Sequence, residues 1–380
     1  MKRESHIYYL FCGRFPGEKA AAMFAAKSTE AFDAIGNSST LVVPRRFGRS
    51  FKTAQDYYGL SRPIAVTYIP TIDAGGTPFF GPLLFRLGLV FFGIISFFYL
   101  LFRVKKGDVI ISNEMFPLLC ATYTKGITCY EMHDYPEKNL WLYRVLFSRV
   151  DHLLVTNRVK MDRLANEFPS VSAKAFYEPN AVSLDEFAPR SKNDARTALS
   201  LPLNKTIGVY TGHLFSWKGV DTLAKAASLL PKDFLIYFVG GTQRDIEEFR
   251  KKYGNLPNVH IIGLRPHKEI PLWQSAADAL ILPNTGKEVI SREYTSPMKL
   301  FEYMASNRPI VASNIPSIAD ILTSDTATLV EPDNPQALAE ALSGAVHSTA
   351  KSENAARALS WVKEHTWEKR ARRILQRLWQ

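Results

Sequence analysis

Short apolar runs alternate with segments of helical periodicity twice over along this chain, and that alternation most narrows its possible folds. In the first series, strands are expected near residues 7–12, 40–43, 65–69, 108–112, 128–132 and 152–156. A helix from about residue 18 to 35 follows the first of them, with Gly36 as a natural C-cap. After Pro179-Asn180 the stretch 183–204 turns polar, carries Pro189 and Pro202, and reads as a linker with a small helix. A second series then begins, with strands at 206–210, 234–239, 259–262, 279–282 and 310–312 and helices at 221–230, 243–253, 268–276 and 297–305. Parallel α/β architecture follows, as two Rossmann-like doubly wound domains over residues 1–182 and 205–355. A C-terminal helix over 356–380 is expected to pack back toward the first domain. Such sheets bind ligands at the carboxyl ends of their strands, so the two domains are expected to face each other across a ligand-binding cleft.

Size and charge narrow the function. At 380 residues the chain is long for one doubly wound domain and sufficient for two. Its 46% hydrophobic and 22% charged residues are ordinary for a protein with large cores. Cys12, Cys120 and Cys129 form no close pair, which argues against a disulfide framework or a cysteine zinc site and for a reducing compartment. The first apolar run ends at Gly13-Arg14, too early for a signal-peptide core, and suits a buried strand. A formal net charge of +11 points to an anionic partner. Neither zinc-finger spacing nor an RNP-like aromatic motif occurs, so no nucleic-acid partner is expected, and a phosphorylated substrate or acidic lipid surface is favoured.

The segment from Tyr294 to Ser313 is the most informative. Ser296 is placed to cap a helix and Pro297 to open it, with Met298 and Lys299 in its first turn. Free N–H groups and a positive dipole end there suit a diphosphate, and Lys299 adds charge. Glu302, three residues on, is placed to accept hydrogen bonds from a ribose diol. The bland alternative is a solvated Lys–Glu pair on an amphipathic helix. Against it, Gly212 follows a strand, Lys218-Gly219 opens a helix, and Gly240-Gly241 repeats the strand-to-glycine pattern.

These residues resemble the GT4 family of retaining glycosyltransferases, of GT-B fold. The likeness rests on Lys218-Gly219-Val220-Asp221, Val239-Gly240-Gly241, Ala277-Asp278-Ala279 to Pro283-Asn284, Ser296-Pro297-Met298-Lys299-Leu300-Phe301-Glu302-Tyr303-Met304-Ala305, and Arg308-Pro309-Ile310-Val311-Ala312-Ser313. The resemblance implies a nucleotide-diphosphate sugar as donor substrate and no cofactor. Lys218 and Lys299 would neutralise the diphosphate, Glu302 would hold the ribose, and residues near Arg265 would border the base. Two positions depart from the family pattern. Tyr294 stands where a Glu often orients the donor sugar, and His213 where an Arg often follows the loop glycine.

In the first half, Cys12-Gly13-Arg14-Phe15-Pro16-Gly17-Glu18-Lys19 links a strand to an Ala-rich helix. Arg14, Gly17 and Lys19 are the expected acceptor-binding residues, since a turn and a helix start suit an anionic or hydroxyl-rich ligand. The segment resembles an Arg-x-Pro-x-Glu-Lys-Ala stretch of some bacterial family members. Glu131-Met132-His133-Asp134 ends another strand. The resemblance places His133 against the donor sugar, as a hydrogen-bonding group and not a general base, with Glu131 and Asp134 as weaker candidates for orienting the acceptor. It also implies front-face transfer, in which the leaving phosphate oxygen takes the acceptor proton. No Asp-x-Asp or His-x-x-x-His metal motif occurs, and paired lysines with helix dipoles can supply the charge that Mg²⁺ would, so no metal is expected. A sugar-nucleotide epimerase and a catalytically silent partner subunit share the fold; a dinucleotide dehydrogenase is disfavoured for want of Gly-x-Gly-x-x-Gly after either first strand.

Residues 79–102, from Phe79-Phe80 through an uncharged run from Leu87 to Phe102, are apolar enough to serve a core or a membrane. A true span conflicts with the strand that follows at once and belongs in the same sheet as the first. Phe85, Phe91, Phe92, Phe97, Phe98, Tyr99 and Phe102 surround most of the helix, more than one sheet face can cover, and Arg103, Lys105 and Lys106 follow. Monotopic docking on the cytoplasmic leaflet is the expectation, with a glycan or lipid-linked acceptor of surface-polysaccharide or glycolipid assembly.

Overall fold

The apolar run Ile7-Tyr8-Tyr9-Leu10 forms β1 (Ile7–Leu10), buried on both faces as a parallel central strand must be. In the computed structural model, which describes residues 5–46, 52–73, 81–346 and 349–380, the chain continues through α1 (Ala20–Ala34), β2 (Ser39–Pro44), α2 (Ala54–Tyr58) and β3 (Val66–Ile69). Then come α3 (Gly81–Leu101), β4 (Val109–Ser112), α4 (Met115–Ala121), β5 (Ile127–Met132), α5 (Leu140–Arg149), β6 (His152–Val155), α6 (Arg158–Glu167) and β7 (Ala175–Tyr177). The second series runs α7 (Lys192–Ala198), β8 (Thr206–Thr211), α8 (Val220–Ala227), β9 (Phe234–Val239), α9 (Gln243–Tyr253), β10 (Val259–Gly263), α10 (Ile270–Ala276) and β11 (Ala279–Leu282). It closes with α11 (Met298–Ala305), β12 (Ile310–Ser313), α12 (Pro316–Ala319), β13 (Thr328–Val330), α13 (Pro335–Val346), α14 (Thr349–Val362) and α15 (Trp367–Leu378). Phe79 and Phe80 lie outside the described residues.

Two compact units result. The first comprises residues 1–156, 160–178 and 367–380; the second comprises 157–159 and 179–366. In the first, seven parallel strands lie in the order β3-β2-β1-β4-β5-β6-β7. The order reverses between β1 and β4, where doubly wound sheets open for ligands. In the second, six parallel strands lie in the order β10-β9-β8-β11-β12-β13, reversing between β8 and β11.

Three expectations about boundaries need correction. Residues 183–204 are no linker but part of the second unit. The buried Arg196 of α7 donates to Asp278 Oδ2 at 2.6 Å and to the Ala276 carbonyl at 2.9 Å, which holds the segment against the start of β11. Residues 356–380 are not one helix: α14 closes the second unit, and only α15 joins the first. There Trp367 packs edge-on against Phe24 of α1, and Arg370 reaches Glu131 at the end of β5 at 2.6 Å. Finally, the first unit does not run to residue 182, since 157–159 and 179–182 belong to the second.

Helix α3 divides its apolar residues between two environments. Phe92, Gly93, Ser96 and Leu100 are buried, and Gly93 lets Phe116 and Pro117 of α4 approach where a Cβ would stand 2.5 Å from the Phe116 ring. The opposite stripe, Leu83, Leu87, Val90, Phe91, Ile94, Phe98 and Leu101, is exposed at helical spacing, and Phe102 beyond it is 81% exposed. The helix is long and apolar enough to cross a membrane. Its flanking strands β3 and β4 nevertheless belong to one sheet, so both of its ends lie on the same side.

Candidate functional site

The second unit gathers two lysines around one glycine. Gly212 directly follows β8 with φ +127°, a conformation that favours glycine. A Cβ placed there would stand 3.7 Å from Lys299 Nζ and 3.9 Å from Lys218 Nζ. Lys218 reaches this point from a 3₁₀ turn, Ser216–Lys218, that precedes α8. The turn depends on Gly219 in the left-handed region at φ +71°, pressed so close to the Pro283 carbonyl that no side chain fits. Lys299 reaches it from the first turn of α11.

Neither ammonium has a carboxylate at ion-pair distance among the described residues. Lys299 Nζ is buried without a hydrogen-bond partner and lies 3.8 Å from the centroid of the Tyr210 ring. Burial, and then the Lys218 charge, push its pKa well below the usual lysine range. Burial likewise lowers Lys218 to about 8, against the pull of Asp245. Two desolvated cations facing the same small volume form a site complementary to a multivalent anion.

Glu302 lies one turn along α11. It forms no ion pair with Lys299; Gln274 Nε2 of α10 donates to its Oε2 at 3.1 Å. Burial raises its pKa, opposed chiefly by His267, whose ring pairs with Glu186 at 2.8 Å. The solvated Lys–Glu pair is therefore not what the helix contains. Ser296 is not the N-cap and Pro297 not the first helical residue: Pro297 occupies the N-cap with extended backbone, and α11 starts at Met298. Ser296 instead gives its carbonyl to Asn180 Nδ2, while Asn157 Nδ2 holds the carbonyls of Glu293 and Thr295 at 2.8 and 3.2 Å. These amides fix the approach to the helix, whose first N–H groups lack intrahelical acceptors. Arg265 is exposed just past β10. Tyr294 is buried in a π-helical turn, and the neighbouring Glu293 is paired with Arg292, at 2.7 Å. His213 stacks on Phe215 with ring centroids 5.0 Å apart.

In the first unit the candidates cluster at the carboxyl edge of the sheet. Gly17 is fixed by Tyr58, whose hydroxyl accepts from its N–H at 2.8 Å and donates to its carbonyl at 2.9 Å. Arg14 and Lys19 are exposed beside it, with Lys19 at the N-cap of α1. The helix starts at Ala20, two residues later than expected, so Glu18 lies outside its first turn. His133 packs edge-on against Phe24 and sits 3.6 Å from Glu131 Oε1. Glu131 is not available to an acceptor. It is fully buried, takes Tyr9 Oη at 2.7 Å on one oxygen and Arg370 at 2.6 Å on the other. Burial alone would raise its pKa; the Arg370 guanidinium, helped by His133 and Tyr9, overrides that and holds it at about 2. It lies behind His133, with both of its oxygens already engaged by Tyr9 and Arg370.

Sequence reasoning missed three charged residues at this edge. Arg46, after β2, donates to the Cys12 carbonyl at 3.1 Å, pairs with Asp73 at 3.5 Å and lies over the Phe85 ring of α3. Glu114, after β4, has a carboxyl raised by burial and opposed by the Cys12 N–H, His133 and Arg46. None sits in a motif; only their places after consecutive strands could have flagged them.

Residues 205–348 match the family model described as Glycosyl transferases group 1. D-inositol 3-phosphate glycosyltransferase of Corynebacterium urealyticum is 24% identical over 226 residues, 55% of this chain and 52% of that protein. The putative teichuronic acid biosynthesis glycosyltransferase TuaC of Bacillus subtilis is 26% identical over 172 residues, 44% of this chain and 41% of that one. The chain thus spans about half the length of the curated relatives it matches. Among solved structures, sucrose-phosphate synthase from Thermosynechococcus elongatus superposes with a TM-score of 0.78 at 18% identity, over 98% of both chains. Anabaena HepE in complex with UDP gives 0.74 at 16%, over 98% of this chain and 99% of that one. These likenesses, with the two sheet orders, establish the fold as GT-B.

Proposed function

We propose that this chain, GT-B in fold and matched over residues 205–348 by the group 1 glycosyl transferases, moves a sugar with retention from a nucleotide-sugar to a glycan or lipid-linked acceptor. The observation that carries the reading is the pair of buried ammoniums, Lys218 and Lys299, converging on Gly212 with no carboxylate at ion-pair distance among the described residues. A diphosphate supplies the missing charge, and more of it as the bond to the sugar breaks. The first-turn N–H groups of α11, at Met298 and Lys299 behind Ser296-Pro297, add to the cradle. Glu302 accepts the ribose hydroxyls, and Arg265 borders the base.

On the acceptor side, Arg14, Gly17 and Lys19 bind the incoming molecule, and His133, with Glu131 behind it, hydrogen-bonds the transferred sugar. An acceptor hydroxyl oxygen bonds to the anomeric carbon as the bond from that carbon to the phosphate oxygen breaks. The acceptor proton passes to that same phosphate oxygen, leaving a nucleoside diphosphate. The lysine pair provides the electrostatic stabilisation, so neither a metal nor a cofactor is required of this site. The exposed stripe of α3 and the basic residues after it support a cytoplasmic enzyme held peripherally on the inner face of the membrane, where surface polysaccharide or glycolipid is assembled.

The test starts from thermal shift with UDP, GDP and ADP, since a ligand that binds only the folded state raises Tm by mass action. HepE was solved with UDP and UDP-glucose, which makes UDP the first to try. One nucleotide should stabilise the protein, and its sugar conjugate should be consumed only with acceptor present. If no nucleotide raises Tm, or the donor is epimerised without acceptor, the proposal fails.

A further inference from the structure

Helices α3, α4 and α5 follow one another on the first unit, α3 against α4 and α4 against α5. Their sequences contain three arginines, Arg86, Arg144 and Arg149, and no Asp or Glu at all. A helix layer facing water carries both signs of charge, as α9 does with Arg244, Asp245, Glu247, Glu248, Arg250 and Lys251. This layer instead exposes large apolar side chains. The stripe of α3 runs from Leu83 to Leu101, about 30 Å of helix. On α5, Leu140, Trp141 and Val145 are exposed, Trp141 at 66%. Tyr123, just past α4, is 61% exposed with the Arg149 guanidinium 4.7 Å from its ring centroid. Arg103, Lys105 and Lys106 stand exposed where α3 ends, and Arg103 lies 4.2 Å from the Tyr99 centroid.

We infer that the α3–α4–α5 layer is a flat docking platform for an anionic lipid leaflet, with α3 lying in the membrane plane and Trp141 of α5 as a second anchor. This builds on the peripheral-membrane reading above and extends it from one helix to a surface. Exposure along the whole of α3, and not at one end, sets the helix parallel to the bilayer. Arginines interleaved with Trp and Tyr, with no carboxylate inside the three helices and the exposed Asp134, Glu137 and Asp151 confined to the turns at either end of α5, match the acidic headgroup region. The platform also fixes which edge of the unit is near lipid. The chain leaves β5 at His133 and enters α5 at Leu140-Trp141, so the anchor borders the carboxyl edge that carries His133, Arg14 and Arg46. A headgroup held at that edge would present its hydroxyl to the acceptor side without leaving the leaflet.

The full chain should co-sediment with vesicles containing phosphatidylglycerol and much less with phosphatidylcholine alone. Phe91→Ser with Phe98→Ser should abolish binding. Trp141→Ala with Val145→Ser should weaken it about tenfold or more, at an unchanged Tm. Bromine-labelled lipids should quench part of the tryptophan emission in the wild type, and that part should vanish in Trp141→Phe. If the wild type binds no vesicles, both the membrane reading and the platform fall, while nucleotide binding still tests the transferase. Should it bind through α3 with the α5 variants unaffected and no quenching lost in Trp141→Phe, only the platform falls. A stable dimer in lipid-free solution that Phe98→Ser dissociates would make a second copy the occupant and overturn the inference.

Discussion

Raising the pH from 7 to 9 should weaken nucleotide binding roughly tenfold through Lys218 alone. In the free protein burial brings the pKa of this lysine down to about 8, against the pull of Asp245. A bound diphosphate within a few ångström restores the charged form, so binding at alkaline pH takes up a proton. For a bound-state pKa well above the working range, the apparent Kd rises as 1 + 10^(pH − 8), from about 1.1 at pH 7 to about 11 at pH 9. Lys299, which burial and then the Lys218 charge push well below the usual lysine range, steepens the dependence and adds to the proton uptake. The nucleotide does not interfere, since its last phosphate ionisation, near 6, is complete in this window. The measurement is calorimetric titration at pH 8.5 in buffers of different ionisation enthalpy, where the slope of observed heat counts protons. Stability of the free protein should move the opposite way. Between about 8 and the unfolded-state value near 10.5, the unfolded chain holds the Lys218 proton that the native chain has lost, so native stability rises with pH. A flat Kd from pH 7 to 9 with no buffer-dependent heat would refute the uncompensated lysine pair.

Further outcomes follow from the same geometry. Lys299→Ala should abolish most turnover yet leave Tm unchanged or higher, because it removes a buried cation with no hydrogen-bond partner and no carboxylate at ion-pair distance among the described residues; differential scanning calorimetry beside a donor-consumption assay reads both. Glu302→Ala should cost about 1.5–3 kcal/mol of nucleotide-sugar binding, the range for hydrogen bonds to a charged group, and an unchanged donor KM and kcat would remove the ribose assignment. His133→Ala should lower kcat roughly 10²-fold, as loss of a hydrogen bond at the reacting centre does, with a normal melting curve; a loss that appears only as unfolding would make the residue structural. Arg370→Ala should destabilise the protein by about 3–5 kcal/mol by stranding the Glu131 carboxylate, with denaturant unfolding as the measure.

The core strands were legible because parallel strands covered on both faces read as unbroken apolar runs, as Ile7-Tyr8-Tyr9-Leu10 and Ala279-Leu280-Ile281-Leu282 do. The three-residue edge strands β7 and β13 were not, since partly exposed residues such as Ala175, Thr328 and Leu329 carry no such run. At the lysine pair, residue types and order were visible in sequence. The lack of a carboxylate at ion-pair distance among the described residues was not, because it depends on which side chains packing leaves within reach. Glu131 was misread for the same reason. Its partner Arg370 lies 239 positions away, in a helix whose return to the first unit was foreseen only in outline. Ser296 and Pro297 obeyed cap statistics that two amides, Asn157 and Asn180, override locally.

The route of the chain has a consequence for synthesis. The first unit begins at the N-terminus but is completed by α15, after the entire second unit has been made. At ribosomal rates of about 5–20 residues per second, the 239 positions between Glu131 and Arg370 occupy roughly 10–50 s. Throughout that interval the nascent sheet holds a carboxylate whose cationic partner does not yet exist, and Phe24 lacks the Trp367 ring that packs on it. The second unit, by contrast, is contiguous from residue 179 to 366 apart from three residues already made, and can close its own core first. Newly made first units are therefore open while the exposed apolar surface of α3 and α5 has already emerged, and stopping translation before residue 367 should yield chains that adhere to membranes or chaperones instead of folding.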